Sequence, residues 1–441
     1  MTSVLASLKK DRLEQKLEDK KPLYSEAEAR AEAERCLYCA DAPCIKACPT
    51  EIDIPTFIKK IASGNVRGSA RTILEQNLLG YSCARVCPVE VLCAGDCVYN
   101  AWGREPINIG RLQRFATETA MADGQAPLLS PAVKKSGKRV ALVGAGAASL
   151  ACAGYLALEG HTAIIYEKRD IAGGLNTWGI APYKLHAEDA AREIDWLLSL
   201  GVELKTGVEI GKDLTLASLL ADHDALFLGF GLGEDSKLGI PGEDGPGVVG
   251  AVEWIEQMKL GTGAPGLGRV IVVGGGNTAI DVARETALLG AKDVRMVYRR
   301  TAKDMSGYKH ELAGARKEAV QLVENAQPVR INRDPQGKLL SLTVAETKAG
   351  AAVPGTERDL PCDLIALAIG QSKIGALVQG LAGVEVDAKG CVVIDPKTAR
   401  TGNPKVFSGG DCTNGGKEVV NAVADGRNAA RTMSAMFTEA R

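Results

Sequence analysis

Between residues 51 and 77 the chain reads EIDIPTFIKKIASGNVRGSARTILEQN, with apolar positions returning every three or four residues. That period puts them on one face of a helix, and Ser63-Gly64 breaks it, so two helices are predicted. Further on the period changes. The stretch RVALVGAGAASLACAGYLALEGHTAIIYE (139–167) opens with an apolar run at 140–143 and passes through glycines into an Ala- and Leu-rich segment. A second apolar run closes it, so the order is strand, turn, helix, strand. The stretch RVIVVGGGNTAIDVARETALLGAKDVRMVYRR (269–300) repeats that order. Near the end, KVFSGGDCTNGGKEVVNAVADGRNAA (405–430) offers a strand, a glycine turn and a helix of small residues. Two Gly-punctuated stretches, LFLGFGLGEDSKLGIPGED (226–244) and LIALAIGQS (364–372), read as crossings between two α/β units.

The glycines give these units chemistry. In the first copy Gly144-x-Gly146 lies between strand and helix, and Glu167 ends the second strand. Such a turn lets backbone approach a pyrophosphate at a helix N-terminus while the acid takes ribose hydroxyls. Ser149 stands where a third small residue packs helix on strand, and Gly173-Gly174 fits a second approach to the same phosphates. The grip expected here is Gly144, Ala145, Gly146, Ala147 and Ala148, with Glu167, Lys168 and Gly174 beside them. In the second copy Gly274, Gly275 and Gly276 form the turn, Asn277 and Thr278 open the helix, and Arg299 and Arg300 stand where the first copy has its acid. Arginine can hold a 2′-phosphate bidentately, so the second site favours NADPH, with NADH also possible. The returning segment supplies Gly410 and Asp411 for a ribityl hydroxyl. The helix start around Lys417, Glu418 and Val419 can turn N–H groups towards a flavin ring, and Ala368, Ile369 and Gly370 sit at the second crossing. The predicted fold is therefore a Rossmann-like α/β flavoprotein with two dinucleotide-binding domains, the second inserted in the first, behind an N-terminal α-helical domain. Its expected limits are 1–130 for the helical domain, 131–246 for the first part of the FAD domain, 247–362 for the NADPH domain and 363–441 for the second part.

Eight of the 12 cysteines fall in two short runs. Cys36, Cys39, Cys44 and Cys48 are spaced C-x2-C-x4-C-x3-C and followed by Pro49; Cys83, Cys87, Cys93 and Cys97 follow with Pro88 after Cys87. Thiolates hold iron–sulfur clusters and zinc, and a tight run ending in Cys-Pro is the ferredoxin type, in which the last cysteine crosses to another cluster. A pair of structural zinc sites in a non-enzymatic scaffold is the alternative. The remaining cysteines, Cys152, Cys362, Cys391 and Cys412, are isolated and expected to be buried small residues. No C-x2-C or C-x4-C pair follows either fingerprint, which argues against a dithiol reductase. His161, His186, His223 and His310 show no ligand spacing, and no catalytic residue is expected beyond the cofactor and metal sites.

Composition narrows the class further. The net charge is −1 without a long basic run, so neither nucleic acid nor a membrane surface is an expected partner. The N-terminus is charged throughout and lacks an apolar signal core, and the uncharged stretch at 140–158 is better read as strand–turn–helix than as a membrane span. A cytoplasmic location is expected, where clustered thiols serve metal or redox work.

From about Cys36 onwards the chain resembles the FAD- and NAD(P)H-oxidising part shared by dihydropyrimidine dehydrogenase and the small subunit of glutamate synthase. The segment EPINIGRLQRFA (105–116) carries much of the likeness. The resemblance implies one 4Fe–4S cluster on Cys36, Cys39, Cys44 and Cys97 and a second on Cys48, Cys87, Cys93 and Gln113, leaving Cys83 free. It also implies FAD against Gly144–Ala148, Glu167, Gly174, Leu175 and the Asp411 turn, with Lys184 where arginine is frequent. The tail GDCTNGGKEVVNAVADG looks more like the small subunit of bacterial dihydropyrimidine dehydrogenase than like that of glutamate synthase. That implies an electron-input subunit oxidising NADPH through FAD and two clusters, in a heteromer with an FMN-containing partner that reduces uracil or thymine. A glutamate synthase small subunit and a stand-alone NADPH:acceptor oxidoreductase are the alternatives. Two departures from the family pattern are GIAPYKLH (179–186) and Asn277 in place of a frequent aspartate.

Overall fold

The computed structural model describes residues 3–123, 128–261, 267–348 and 350–439. The two helices expected after the first cysteine run are Ile54–Ala62 and Val66–Gln76. Asp53 caps the first by accepting the Thr56 N–H at 3.1 Å, and Ile54, Phe57, Ile58 and Ile61 form its buried stripe. Gly64, at φ +78°, ends it in a conformation that a side chain would strain. Asn65 then caps the next helix through Gly68 N–H at 2.9 Å.

Among the described residues fourteen strands follow in chain order: β1 Arg139–Val143, β2 Thr162–Tyr166, β3 Glu203–Lys205, β4 Ala225–Leu228, β5 Val248–Gly250, β6 Arg269–Val273, β7 Asp293–Val297, β8 Gln321–Val323, β9 Ala326–Arg333, β10 Leu339–Lys348, β11 Ala351–Ala352, β12 Arg358–Pro361, β13 Leu364–Leu367 and β14 Val406–Ser408. They build two five-stranded parallel sheets, ordered β14-β4-β1-β2-β3 and β5-β13-β6-β7-β8. Each fingerprint strand, β1 or β6, lies at the point where the strand order reverses, and there the crevice for a ligand opens. The stretch at 140–158 resolves into β1 and the helix Ala147–Leu158, and no helix among the described residues is long and apolar enough to cross a membrane.

Two features depart from the expected layout. Strand β13 pairs with β5 and β6, so the inserted sheet takes in residues 364–367, beyond the expected return at 363. The reason is that β13 lies inside this sheet, between β5 and β6, and fills the place beside β6 that β4 fills beside β1. The crossings also pair with one another, Gly233 N–H donating to Ser372 O at 2.9 Å and Ser372 N–H to Glu234 O at 2.8 Å. The inserted unit further carries an antiparallel layer of β9 to β12, which alternation in the sequence did not reveal.

The helical domain is not a separate globule. Phe57, Ile58, Leu79 and Leu112 share one continuous apolar core with Leu142, Leu156, Ile165 and Phe407 of the first nucleotide unit. The long helix Val419–Glu439 packs on Ala147–Leu158, with Gly426 where any Cβ would stand 2.1 Å from the Ala148 carbonyl oxygen.

Candidate functional site

The apolar strand β1 ends at Val143, and the chain turns through Gly144 into a helix whose first N–H groups lack intrahelical partners. Gly144 has φ +85°, and a Cβ there would meet the Gly229 carbonyl oxygen at 2.8 Å. Glu167 follows β2 and braces the turn, accepting Ala145 N–H at 2.7 Å and Arg169 N–H at 2.9 Å. Gly174 brings a second loop so close that a Cβ would lie 2.9 Å from Gly146 Cα. At the returning segment Asp411 accepts Lys417 N–H at 3.1 Å, and burial raises its pKa. These loops leave a cradle without side-chain bulk, backed by a helix N-terminus and carboxylates. It fits the pyrophosphate and sugar hydroxyls of a dinucleotide.

The second turn is built the same way on β6. Gly274 lies against the second crossing, where a Cβ would stand 2.3 Å from Ala368 O. Arg299 and Arg300 follow β7, both exposed, with the Arg300 guanidinium 5.6 Å from the Tyr298 ring centroid. Both turns open into one cavity of about 1890 Å³. A drug-sized ligand fills roughly 300–1,000 Å³, so this space suits two dinucleotides. Every residue expected to hold a nucleotide, from Gly144 to Val419, lines it except Gly173.

The contacts of several lining residues carried no sequence signal. Lys184 was expected beside FAD; the structure places its Nζ 2.7 Å from Asp281 and 2.9 Å from Glu311, both in the inserted unit. Tyr183 also donates to Asp281, at 2.6 Å. Arg169 pairs with Glu256 and lies 3.8 Å from the Trp178 ring centroid. All of these but Arg169 against Trp178 join residues roughly ninety or more positions apart, which no local spacing encodes.

The two cysteine runs interleave in space. Cys36, Cys39 and Cys97 all raise the pKa of Cys44, which burial first of all pushes up to about 12. Together the four thiols line a small cavity walled by apolar residues such as Ile54, Ile58 and Ile107. Cys97 thus joins the first run. Cys48 joins the second: it and Cys93 act on Cys87, whose pKa is raised first by a hydrogen bond with Cys83 and then by burial. Gln113 is buried on the helix Ile109–Ala122, and its Nε2 donates to Gly80 O at 2.7 Å, on the helix that carries Cys83. Among the described residues no three or more His, Cys, Asp or Glu side chains close on a single ion; the first group of thiols instead rings a space. An all-thiol donor set in apolar walls fits an iron–sulfur cluster. Cys87 and Pro88 also line the nucleotide cavity, so the second thiol group borders it. The isolated Cys152, Cys362, Cys391 and Cys412 are all buried.

The fold and site define an NAD(P)H-dependent oxidoreductase that moves electrons between a flavin and nicotinamide region and a 4Fe–4S domain. Residues 138–426 match the pyridine nucleotide-disulphide oxidoreductase family and residues 13–125 match dihydropyrimidine dehydrogenase domain II, 4Fe-4S cluster, and the chain belongs to this family of flavoprotein oxidoreductases. It is 34% identical over 432 residues to the glutamate synthase [NADPH] small chain of Escherichia coli K12, covering 92% of this chain and 91% of that one. It is also 34% identical over 418 residues to the NAD-dependent dihydropyrimidine dehydrogenase subunit PreT of the same strain, covering 95% and 96%. Among solved structures, thioredoxin reductase of T. acidophilum shares the fold, with a TM-score of 0.56 and 24% identity over 67% of this chain and 97% of that one.

Proposed function

We propose that the chain is the electron-input subunit of a heteromeric, dihydropyrimidine dehydrogenase-type enzyme. It would take electrons from NADPH and deliver them to a partner that holds FMN and reduces the 5,6 double bond of uracil or thymine. The observation that carries the electron-input role is the shared cavity. Both glycine turns open into it, and Cys87 of the second thiol group stands in its wall. The glycine loops at 144–148 and 174, with Glu167 and Asp411, would hold FAD. The loop at 274–278 would hold the nicotinamide dinucleotide, with Arg299 and Arg300 on a 2′-phosphate. Bound there, a flavin supplies the change from two-electron to one-electron chemistry that clusters require. Cys36, Cys44, Cys87 and Cys93 have raised pKa values, to which burial contributes in each, so these thiols hold their protons until metal displaces them and cluster assembly is coupled to proton release. Two 4Fe–4S clusters are proposed, on Cys36, Cys39, Cys44 and Cys97 and on Cys48, Cys87, Cys93 and Gln113.

The pyrimidine branch is supported by the relative PreT, which matches over nearly its whole length. A glutamate synthase small subunit is the second reading, favoured by an equal identity to that protein. The test is turnover with a co-expressed partner, comparing uracil with 2-oxoglutarate plus glutamine. Uracil-dependent NADPH oxidation only with the FMN partner is expected; a response to the glutamate synthase substrates alone would overturn the branch and leave the electron-input role.

A further inference from the structure

The segment from Ser306 to Glu311 joins all three units of the molecule. Gly307 N–H donates to Gly275 O at 3.0 Å, and Tyr308 N–H donates to the Asn277 side-chain oxygen at 2.9 Å. A Cβ on Gly307 would stand 2.5 Å from Ile280 Cδ1 and 3.2 Å from the Gly276 carbonyl carbon, so the segment lies on the second glycine turn itself. From that anchor the Tyr308 phenol reaches the other nucleotide unit and donates to Glu418 Oε1 at 2.6 Å. Glu418 immediately precedes the helix Val419–Glu439, and both side chains line the cavity. The Tyr308 ring stacks on His310, centroids 5.7 Å apart and planes 6° from parallel, and His310 Nε2 lies 3.6 Å from Glu90 in the cysteine domain. Glu311, next along, pairs with Lys184 of the first unit.

We propose that Tyr308 and Glu418 form a clasp that sets how the second nucleotide site faces the first, making Tyr308 a positioning residue for electron transfer between them. The proposal rests on the reading that both nucleotides bind in the one cavity. Three features support it. The backbone of Tyr308 is tied to the turn that would grip one dinucleotide, while its phenol is tied to the helix start beside the other. The bond is charge-assisted, from a neutral hydroxyl to a carboxylate, and so among the stronger single hydrogen bonds available. Burial and the Glu418 carboxylate both raise the phenol's pKa, so it remains a donor at any physiological pH. Binding at 274–278 that orders this segment must therefore be felt at 417–422.

The test uses the flavin- and cluster-loaded chain as wild type, Tyr308→Phe, Glu418→Ala and the double variant, with flavin absorbance as the check on folding. Backbone hydrogen–deuterium exchange is followed with and without NADP+. Protection at 274–278 is expected in every form. Protection at 417–422 is expected in the wild type and at least about tenfold less of it in Tyr308→Phe, in line with loss of one charged hydrogen bond. In stopped flow, Tyr308→Phe should lower the limiting rate of flavin bleaching by NADPH about tenfold while Kd stays within about twofold. In the Glu418→Ala background the Tyr308→Phe change should add nothing, which independent roles for the two residues would not produce. Equal protection at 417–422 and an equal limiting rate in wild type and Tyr308→Phe would overturn the clasp and leave the two-nucleotide reading intact. Absence of NADP+ protection at 274–278 in the wild type would remove that reading and the clasp with it.

Discussion

Glu193, on the helix Ala187–Leu198 of the first nucleotide unit, accepts the backbone N–H of Tyr81, on the helix that carries Cys83, at 2.8 Å. It also accepts the N–H of Ser82 at 3.2 Å, so one buried carboxyl fastens the cysteine domain to the flavin-binding unit. Burial pushes its pKa up to about 7, with the bonds from Ser82 and Tyr81 opposing the rise.

That shift has a definite sign. A carboxyl whose pKa is higher folded than unfolded stabilises the fold fully below about 4.5, and the contribution is lost as pH rises through about 7. The wild type should therefore lose stability relative to Glu193→Gln between pH 5 and 7.5, by on the order of 3 kcal/mol. Thermal melting of both forms across that range checks it. A constant gap would mean that Glu193 is ionised throughout.

The fourth ligand of the second cluster is open to a direct measurement. Cys83 lies against Cys87, whereas Gln113 gives its Nε2 to Gly80 and keeps Oε1 for another partner. With Gln113 as ligand, Gln113→Ala should lose roughly half of the bound iron and Cys83→Ala should keep nearly all of it. Iron analysis with low-temperature EPR of the reduced protein distinguishes the two. The reverse pattern would assign the place to Cys83.

Arg299 and Arg300 carry the argument for NADPH, while PreT is named as NAD-dependent. Replacing Arg299 with Glu should weaken NADPH binding at least about tenfold and leave NADH nearly unchanged, because only the 2′-phosphate loses a charged partner. Titration with each coenzyme under anaerobic conditions measures both. Equal losses would place the arginines outside the nucleotide contacts.

Lys259 is wholly buried in the inserted unit and donates to the carbonyls of Asn176, Ile180 and Leu185 at 3.0, 2.9 and 2.7 Å. All three belong to the first unit, so this ammonium pins one nucleotide unit to the other. Lys259→Met leaves those carbonyls without a donor and should cost about 2–3 kcal/mol. A lower apparent melting temperature and faster proteolysis within 174–185 are expected. Unchanged proteolysis would show that the units are held by other contacts.

The two turns and the elements that flank them were legible because they are local. Gly144, Gly274, Glu167 and Arg299 sit at fixed offsets from apolar runs, and helix and strand periods are set by backbone geometry within a few residues. The cysteine runs were legible as a metal-type donor set for the same reason. Residues such as Asp281, Lys259 and Glu193 carried no such sign, and Lys184, expected at the site from the family resemblance, gave no hint of its partners. Each looks in sequence like an ordinary charge on a helix or loop, and only burial against a distant unit gives it a partner.

The sequence by itself determined the strands that flank each glycine turn, which turns are free of side chains and which residues can hold phosphate, ribose or iron. Those properties follow from side-chain chemistry and short-range sterics. The tertiary structure alone decided that β13 enters the inserted sheet between β5 and β6, that Cys97 and Cys48 exchange places between the runs, and that Tyr308 meets Glu418 across the cavity. These contacts join residues distant along the chain, and they exist only because packing one unit on another brings their surfaces together.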